Sequence, residues 1–320
     1  MPSKVPDLTL LIPTAGRTRY LPELFASLAL RGDEALEIVV GYHGCEETAG
    51  RWLAALPLPA EQVCTYAIPA GGGIPANWNA GAERARGRYL FIMGDDDAFA
   101  PGGLAAMLAA AKAGRGDLLA FERDIIDAES RPLPEITREH AAFLKGRAQG
   151  LQRIEMANAF PSPPFMSSLY RAEWLRGLRF RGEAGGAADL DLFLRAAAAG
   201  YDLEVCPGRP ILYRVHAGSY TESAPLVNQA LAVMTWNAGQ SPAWREMAGF
   251  RAQEAWLWRG EVNARLRAGD FKGARETLRR EGRRFSWQVR VRLILKAALG
   301  IREWRPQRFR MGGGGSGAAQ

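Results

Sequence analysis

Residues 8–125 alternate short apolar runs with amphipathic stretches. LTLLIPT (8–14) is an apolar run stopped by proline, and EIVVGY (37–42) and VCTYAIP (63–69) repeat the form. YLFIMG (89–94) and DLLAFERDI (117–125) complete the set. Each has the length of a strand, and each is bounded by glycine, proline or charge. Between them lie TRYLPELFASLAL (18–30), EETAGRWLAAL (46–56), ANWNAGAERARG (76–87) and the Ala-rich GGLAAMLAAAKAG (102–114). In the first of these Leu21, Leu24, Phe25 and Leu28 share one helical face. Apolar strands alternating with helices predict an α/β domain whose mostly parallel central sheet is covered on both faces.

The rest of the chain is less periodic. Residues 126–165 carry Pro132, Pro134, Pro161, Pro163 and Pro164 and are expected to wrap over the sheet edge. Residues 166–180 and 182–207 predict a strand, a helix, a glycine-rich turn and a long helix, and 209–221 a strand ending in a loop. From about 225 the pattern is helical and rich in Trp and Arg; LRAGDFKGARETLRR (266–280) has a helix–turn–helix look, in one copy only. In 283–305 basic and bulky apolar residues mix. Phe285, Trp287, Val289, Val291 and Leu293 alternate as a strand would, while the composition suits an interfacial helix or a packed helix with a solvated basic face. The closing GGGGSGAAQ reads as a flexible tail.

Charge changes the picture. The net is +7, yet residues 245–310 hold 18 Lys/Arg against 7 Asp/Glu, a balance of +11, so the remainder sums to −4. The basic character belongs to the C-terminal part. Cys45, Cys64 and Cys206 have neither C-x-x-C spacing nor a His cluster, which argues against a disulfide framework or zinc site and for a cytoplasmic setting. Leu8–Ile12 is too short for a signal-peptide core, and no uncharged apolar run reaches the roughly 18–20 residues of a membrane span.

Chemistry gathers at the strand ends. PTAGR (13–17), AGGGIPANWN (70–79) and GDDD (94–97) each follow a strand, and in a parallel sheet ligands bind beyond those ends. Burying Asp95, Asp96 and Asp97 without partners is costly. They are either a solvated turn or oxygen ligands for a divalent cation, Mn²⁺ or Mg²⁺, that bridges to a diphosphate. Asp189 follows the glycine-rich GEAGGA and is either a helix N-cap or a general base for an acceptor hydroxyl, with Asp191 two residues on. Arg214 and His216 pair beyond an apolar strand, and Arg17 follows the first, where either site suits an anion.

Taken in order, PT-x-G-R, G…NWNAG…A-x-G-R-Y-L-F-I-M-G-D-D-D…P-G-x-L, A-D-L-D-L-F-L-R and Y-R-V-H-A-G-S resemble the family 2 inverting glycosyltransferases over roughly residues 7–222. The resemblance implies a Rossmann-like, GT-A type nucleotide-sugar-binding domain, a divalent cation and inversion at a hexosyl donor. It implies that Pro13, Thr14, Gly16 and Arg17 face the nucleotide and that Asn79 holds the donor loop. Asp95 and Asp96 would bind the nucleotide sugar and Asp97 the metal, with Gly94 where many members carry the first Asp. Asp189 matches the catalytic base, beside Ala188 in place of the usual Glu; Arg214 and His216 match a loop that closes on the diphosphate. One departure is large: the acidic stretch that follows strand two in most members is here Gly41-Tyr42-His43-Gly44-Cys45, which leaves the donor base open.

The expected layout is a glycosyltransferase domain over 1–222 (donor half 1–125, acceptor half 126–222), a basic helical region over 223–310 and a tail over 311–320. Expected partners are a nucleotide-sugar donor, a glycan or lipid-linked acceptor as in polysaccharide biosynthesis, and an inner membrane face touched through 283–305; no nucleic acid is expected. Rival readings stay open. Gly71-x-Gly73-x-x-Ala76 satisfies a dinucleotide fingerprint for an NAD(P)-dependent oxidoreductase, although it follows the third strand and contains Pro75. A nucleotidyltransferase would want a richer basic loop after strand one than PTAGRTR. Trp256, Trp258, Trp287 and Trp304 among arginines would suit a nucleic-acid- or membrane-binding protein with an inactive transferase-like domain.

Overall fold

The computed structural model describes residues 5–15, 18–32, 35–43, 46–68, 71, 73–140, 147–216 and 225–301, which fall into two compact units. The first comprises residues up to 215 together with 229–253. It opens with β1 (Leu8–Ala15), α1 (Leu21–Ser27), β2 (Leu36–His43), α2 (Glu46–Ala54), β3 (Val63–Ala67), α3 (Gly73–Arg84) and β4 (Tyr89–Ile92). All four strands run parallel, in the order β3-β2-β1-β4. The inner strands are apolar because both faces are covered, with Leu8, Leu10, Leu11 and Ile12 of β1 and Tyr89 to Ile92 of β4 fully buried, whereas β3 is a half-exposed edge. The helical face read in the sequence is also inside, with Leu21, Leu24, Phe25 and Leu28 in the same core.

After β4 the chain forms β5 (Ala98–Phe99), α4 (Gly103–Ala113), β6 (Leu118–Ala120), β7 (Arg123–Ile126), α5 (Pro134–His140), β8 (Gly150–Ile154), β9 (Ser168–Arg171), α6 (Ala172–Leu178), α7 (Ala188–Ala199), β10 (Tyr201–Val205) and β11 (Ile211–Arg214). The large sheet continues β4-β9-β6-β10-β8, with β9 antiparallel to both neighbours and β8 an antiparallel edge. A second, three-stranded sheet has the order β5-β11-β7.

Three expectations change. The stretch 117–125 is not one strand: it breaks at Phe121–Glu122, and β6 and β7 enter different sheets. The proline-bearing 126–165 contains a strand, β8, whose half-exposed edge position leaves no apolar run. The end of the predicted long helix is β10, which Gly200 at φ +75° separates from α7.

The second unit comprises residues 216–228 and those from 254 onward. Here α8 (Pro225–Gln240) and α9 (Ala248–Ala268) each supply part of their length, followed by α10 (Phe271–Glu281) and α11 (Trp287–Ala298). The helix–turn–helix reading of 266–280 matches α9, a turn at Gly269 (φ +78°), and α10 capped by Asp270, whose Oδ1 accepts from the Gly273 N–H at 2.8 Å. The strand-like alternation after 285 folds instead as α11, because Val289, Leu293 and Ala297 at i+4 spacing fill the core against Val262, Leu266, Ala274 and Leu278. Among the described residues no helix is long and apolar enough to cross a membrane.

Candidate active site

The chain passes from β1 outward to β2 and β3, then returns to lay β4 on the other side of β1. Strand order reverses there, and in open sheets of this kind ligands bind beyond the C-terminal ends of the strands at that point. Thr14 lies at the end of β1 and the acidic turn at the end of β4. They meet: the Thr14 hydroxyl donates to Asp95 Oδ2 at 2.8 Å, both side chains being buried. The described part of the glycine-rich stretch, Gly71 and residues 73–79, follows β3, the edge strand, and α3 packs against β1 and β2.

Consecutive residues in a turn point in different directions, and the three aspartates do not share one point. Asp95 turns back to β1. Asp96 and Asp97 converge on Gly94, where an added Cβ would sit 2.8 Å from Asp96 Oδ1 and 2.9 Å from Asp97 Oδ2. The residue at 94 is therefore glycine because the two carboxylates fill the space a side chain would need. Asp97 is 1% exposed, and its Oδ1 accepts the Arg214 N–H at 2.8 Å. Burial raises its carboxyl well above the ordinary value, and the Asp96 charge pushes the same way. Among the described residues no group of three or more His, Cys, Asp or Glu gathers as a metal site. A pair of oxygen ligands suits Mg²⁺ or Mn²⁺, which takes one or two protein carboxylates and completes its shell with water and phosphate oxygens. The crowded, charge-poor pair at Asp96 and Asp97 fits such an ion.

Arg214 departs from expectation. Its side chain is inaccessible, and its donors are engaged within the protein. Nε donates to the Asp96 carbonyl at 2.6 Å, Nη1 to the Asp127 carbonyl at 3.0 Å and Ser130 Oγ at 2.8 Å, and Nη2 to Glu23 Oε2 at 2.6 Å. The guanidinium also lies 4.3 Å from the centroid of Tyr20. The arginine expected to close on a diphosphate instead locks the acidic turn to β11, α1 and the turn after β7. The second sheet makes this possible, since β5 follows Asp97 directly and Leu212 pairs with Ala98. His216, two residues on, is half-buried and belongs to the second unit. Gly16 and Arg17 lie outside the described residues.

Asp189 is the second residue of α7. Its Oδ1 accepts the Leu190 N–H at 2.8 Å, and burial raises its carboxyl above the ordinary value. The surrounding segment is held from several sides. Asp191, fully buried, pairs with Arg195 at 2.8 Å and accepts from Asn237 Nδ2 at 3.1 Å. Arg195 in turn donates to the carbonyls of Leu178 and Arg179. Gln229 Oε1 accepts the Gly186 N–H at 2.9 Å. Asn79, expected at the donor loop, belongs to this scaffold: it exchanges two hydrogen bonds with the backbone of Phe180, at 2.7 and 2.9 Å.

Pro13 is half-buried and pairs in register with Gly41. A Cβ at Gly41 would meet Tyr66 Cζ at 2.4 Å and Asn77 Oδ1 at 2.9 Å. The Tyr66 hydroxyl donates to Asn77 Oδ1 at 2.6 Å and fills that place, so position 41 has no room for a side chain. Arg123 was not singled out in the sequence. It opens β7, stacks 4.2 Å from the centroid of Tyr213, and its charge pulls down the carboxyls of both Asp97 and Asp189 against the dominant effect of burial. Its Nε is buried without a hydrogen-bond partner among the described residues. The signal was Glu122-Arg123-Asp124, three charges interrupting an apolar run.

Comparison with known proteins places this geometry. The family described as Glycosyl transferase family 2 matches residues 9–178. The succinoglycan biosynthesis protein ExoO of Rhizobium meliloti (strain 1021) is 24% identical over 293 residues, covering 85% of this chain and 82% of ExoO. Among solved structures, S. aureus TarS 1-349 in complex with UDP-GlcNAc has a TM-score of 0.54 at 17% identity, covering 81% of this chain and 72% of that one. The mannosyltransferase PcManGT of Pyrobaculum calidifontis, in complex with GDP-Man and Mn²⁺, has a TM-score of 0.55 at 16% identity, covering 94% of this chain and 82% of that one. The sheet with its flanking helices is thus of the GT-A type.

Proposed function

The chain belongs to glycosyl transferase family 2, and we propose that it moves a hexosyl group from a nucleotide-diphosphate sugar to an acceptor hydroxyl with inversion at the anomeric carbon. The observation that carries this reading is the pairing of half-buried Asp96 with buried Asp97 at the switch point between β1 and β4, in the same unit as Asp189. Thr14, Asp95 and Pro13 bind the nucleotide beside that pair. Asp96 and Asp97 would hold a divalent cation, which when bound supplies positive charge to the departing diphosphate.

Asp189 acts as general base. The acceptor oxygen forms its bond to the anomeric carbon, the bond from that carbon to the diphosphate oxygen breaks, and the hydroxyl proton passes to the carboxylate. Leu190 N–H already engages Oδ1, so Oδ2 is the oxygen we assign to that proton. The Asp191–Arg195–Asn237 contacts and the Asn79 clip hold α7 and so fix the base without touching substrate. The similarity to ExoO, named for succinoglycan biosynthesis, supports a glycan or lipid-linked saccharide as acceptor, and the spacing of the cysteines a cytoplasmic setting. We rank the dinucleotide reading second because its glycines follow β3, the edge strand, and it gives Asp95, Asp96 and Asp97 no role.

Calorimetry with UDP, GDP, CDP, dTDP and NAD, with and without Mn²⁺, on the wild type and Asp97→Ala tests the donor site. We expect one nucleoside diphosphate to bind only with both the metal and Asp97. NMR of the product then shows an anomeric configuration opposite to the donor's. Metal-free binding of NAD, or retention of configuration, overturns the reading.

A further inference from the structure

The second unit carries an apolar surface that its own core does not use. On one side of α11, Val289, Leu293 and Ala297 pack inward. On the other, Trp287 is 71% exposed, Leu295 53% and Leu299, just past the helix, 69%, with Val291 and Ile294 also in solvent. At about 100° per residue these positions form one stripe along the helix. Arg290 borders it on one flank, Arg292 and Lys296 on the other. Over 282–301 there are five cations and no Asp or Glu.

We propose that this face is an interfacial anchor, which lays α11 on the surface of an anionic lipid bilayer. Trp287, Val291, Ile294, Leu295 and Leu299 enter between the headgroups, while Arg290, Arg292 and Lys296 extend along the helix to the lipid phosphates. An apolar stripe bordered on both sides by cations matches the two layers of such a surface, hydrocarbon beneath and anionic headgroups above. The alternatives fit less well. A second copy docked through the same stripe would bring its flanking cations against those of the first, with no acidic residue in the segment to answer them. A nucleic acid would need cations at the centre of the face, where the apolar side chains stand. The anchor is independent of the transfer chemistry and would bring a site in the same chain to a membrane-borne acceptor.

The test uses the full chain and vesicles of phosphatidylcholine, alone or mixed with phosphatidylglycerol. Co-sedimentation is compared for the wild type, Val291→Asp/Leu295→Asp and Arg290→Gln/Arg292→Gln/Lys296→Gln, with light scattering of the vesicle-free protein. We expect binding to the anionic vesicles only. The aspartate variant should lose it, and the neutralised variant should partition roughly 100-fold less. Because Val291, Leu295, Arg290 and Arg292 are exposed and Lys296 is only half-buried, both variants should keep close to the wild-type thermal transition; if the aspartate variant unfolds, the neutralised one decides. Absence of binding, equal binding to both vesicle types, or wild-type binding by the folded variants overturns the proposal. So does a dimer that the aspartate variant dissociates, since the stripe would then belong to a second copy.

Discussion

Asp97→Asn separates what the acidic turn does for the fold from what it does for a ligand. Asp97 is 1% exposed, and its Oδ2 and Asp96 Oδ1 both crowd the space beside Gly94. With those oxygens 2.8 and 2.9 Å from one point, ionising Asp97 beside Asp96 costs roughly 3 kcal/mol of repulsion at an effective permittivity near 20. The Arg214 N–H offsets part of this, since a hydrogen bond to a charged group contributes about 1.5–3 kcal/mol against about 1 for a neutral one. Asparagine has nearly the same volume, and its oxygen still accepts that N–H. The substitution should therefore stabilise the metal-free first unit by about 2 kcal/mol near neutral pH, or about 4–8 °C in Tm.

The sign depends on pH. A carboxyl raised in the folded state is protonated there while the unfolded chain is ionised. Its stabilising effect is complete below the ordinary carboxylate value and is lost as pH rises through the folded one. The gap between the two proteins should close at about pH 4 and be wider at about pH 7. Mn²⁺ reverses the order, because the wild type gains binding free energy and the variant gains little. Circular dichroism melts in EDTA at both pH values, repeated with Mn²⁺, read all of this. A variant that melts below the wild type in EDTA at the higher pH would refute the reasoning and make Asp97 a structural anchor.

Asp189→Asn should lower transfer by about 10²–10⁴-fold while calorimetry finds donor affinity unchanged; in the wild type, kcat/KM should rise along an acid limb displaced above the usual carboxylate range, because burial keeps the base protonated. Arg123→Leu removes a cation that favours the ionised forms of Asp97 and Asp189, so that limb should move to still higher pH; an unmoved limb separates Arg123 from the base. Gly41→Ala drives a methyl to 2.4 Å from the Tyr66 ring and should destabilise by about 1–3 kcal/mol in urea titrations. Arg214→Met strands buried carbonyls and the Glu23 carboxylate and should cost about 3–5 kcal/mol of stability; a variant of wild-type stability that loses only nucleotide affinity would restore Arg214 to the diphosphate.

The parallel half was legible because β1, β2 and β4 are buried on both faces and the edge strand β3 still has a clear proline stop; the helices between them have clean spacing. The missed strands are those that burial does not mark. β8 is a half-exposed edge, β5 is two residues long, and β10 alternates buried and half-buried positions directly after a helix. At the site, residue types were legible and directions were not. That Asp95 would turn to Thr14 while Asp96 and Asp97 converge depends on the turn geometry after Gly94. That Arg214 would be sealed inside depends on β11 pairing with β5, across more than a hundred residues of chain.

That pairing also explains why the acidic turn can be so crowded. A turn of three aspartates left at a sheet edge would relax into solvent and lose its geometry. Here β5 begins at the residue after Asp97, so any outward movement of the turn must break its pairing with β11. The same β11 delivers a backbone N–H to Asp97 and a guanidinium to the Asp96 carbonyl, and Thr14 draws Asp95 toward β1. Positive charge thus reaches the turn through its backbone and from behind. The Arg214 guanidinium neutralises Glu23 rather than forming an ion pair with Asp96 or Asp97. Ionisation of Asp97 beside Asp96 is opposed, and on the proposed reading a divalent cation bound there would relieve that opposition. On that reading the fold holds an unfavourable interaction where binding would convert it into affinity.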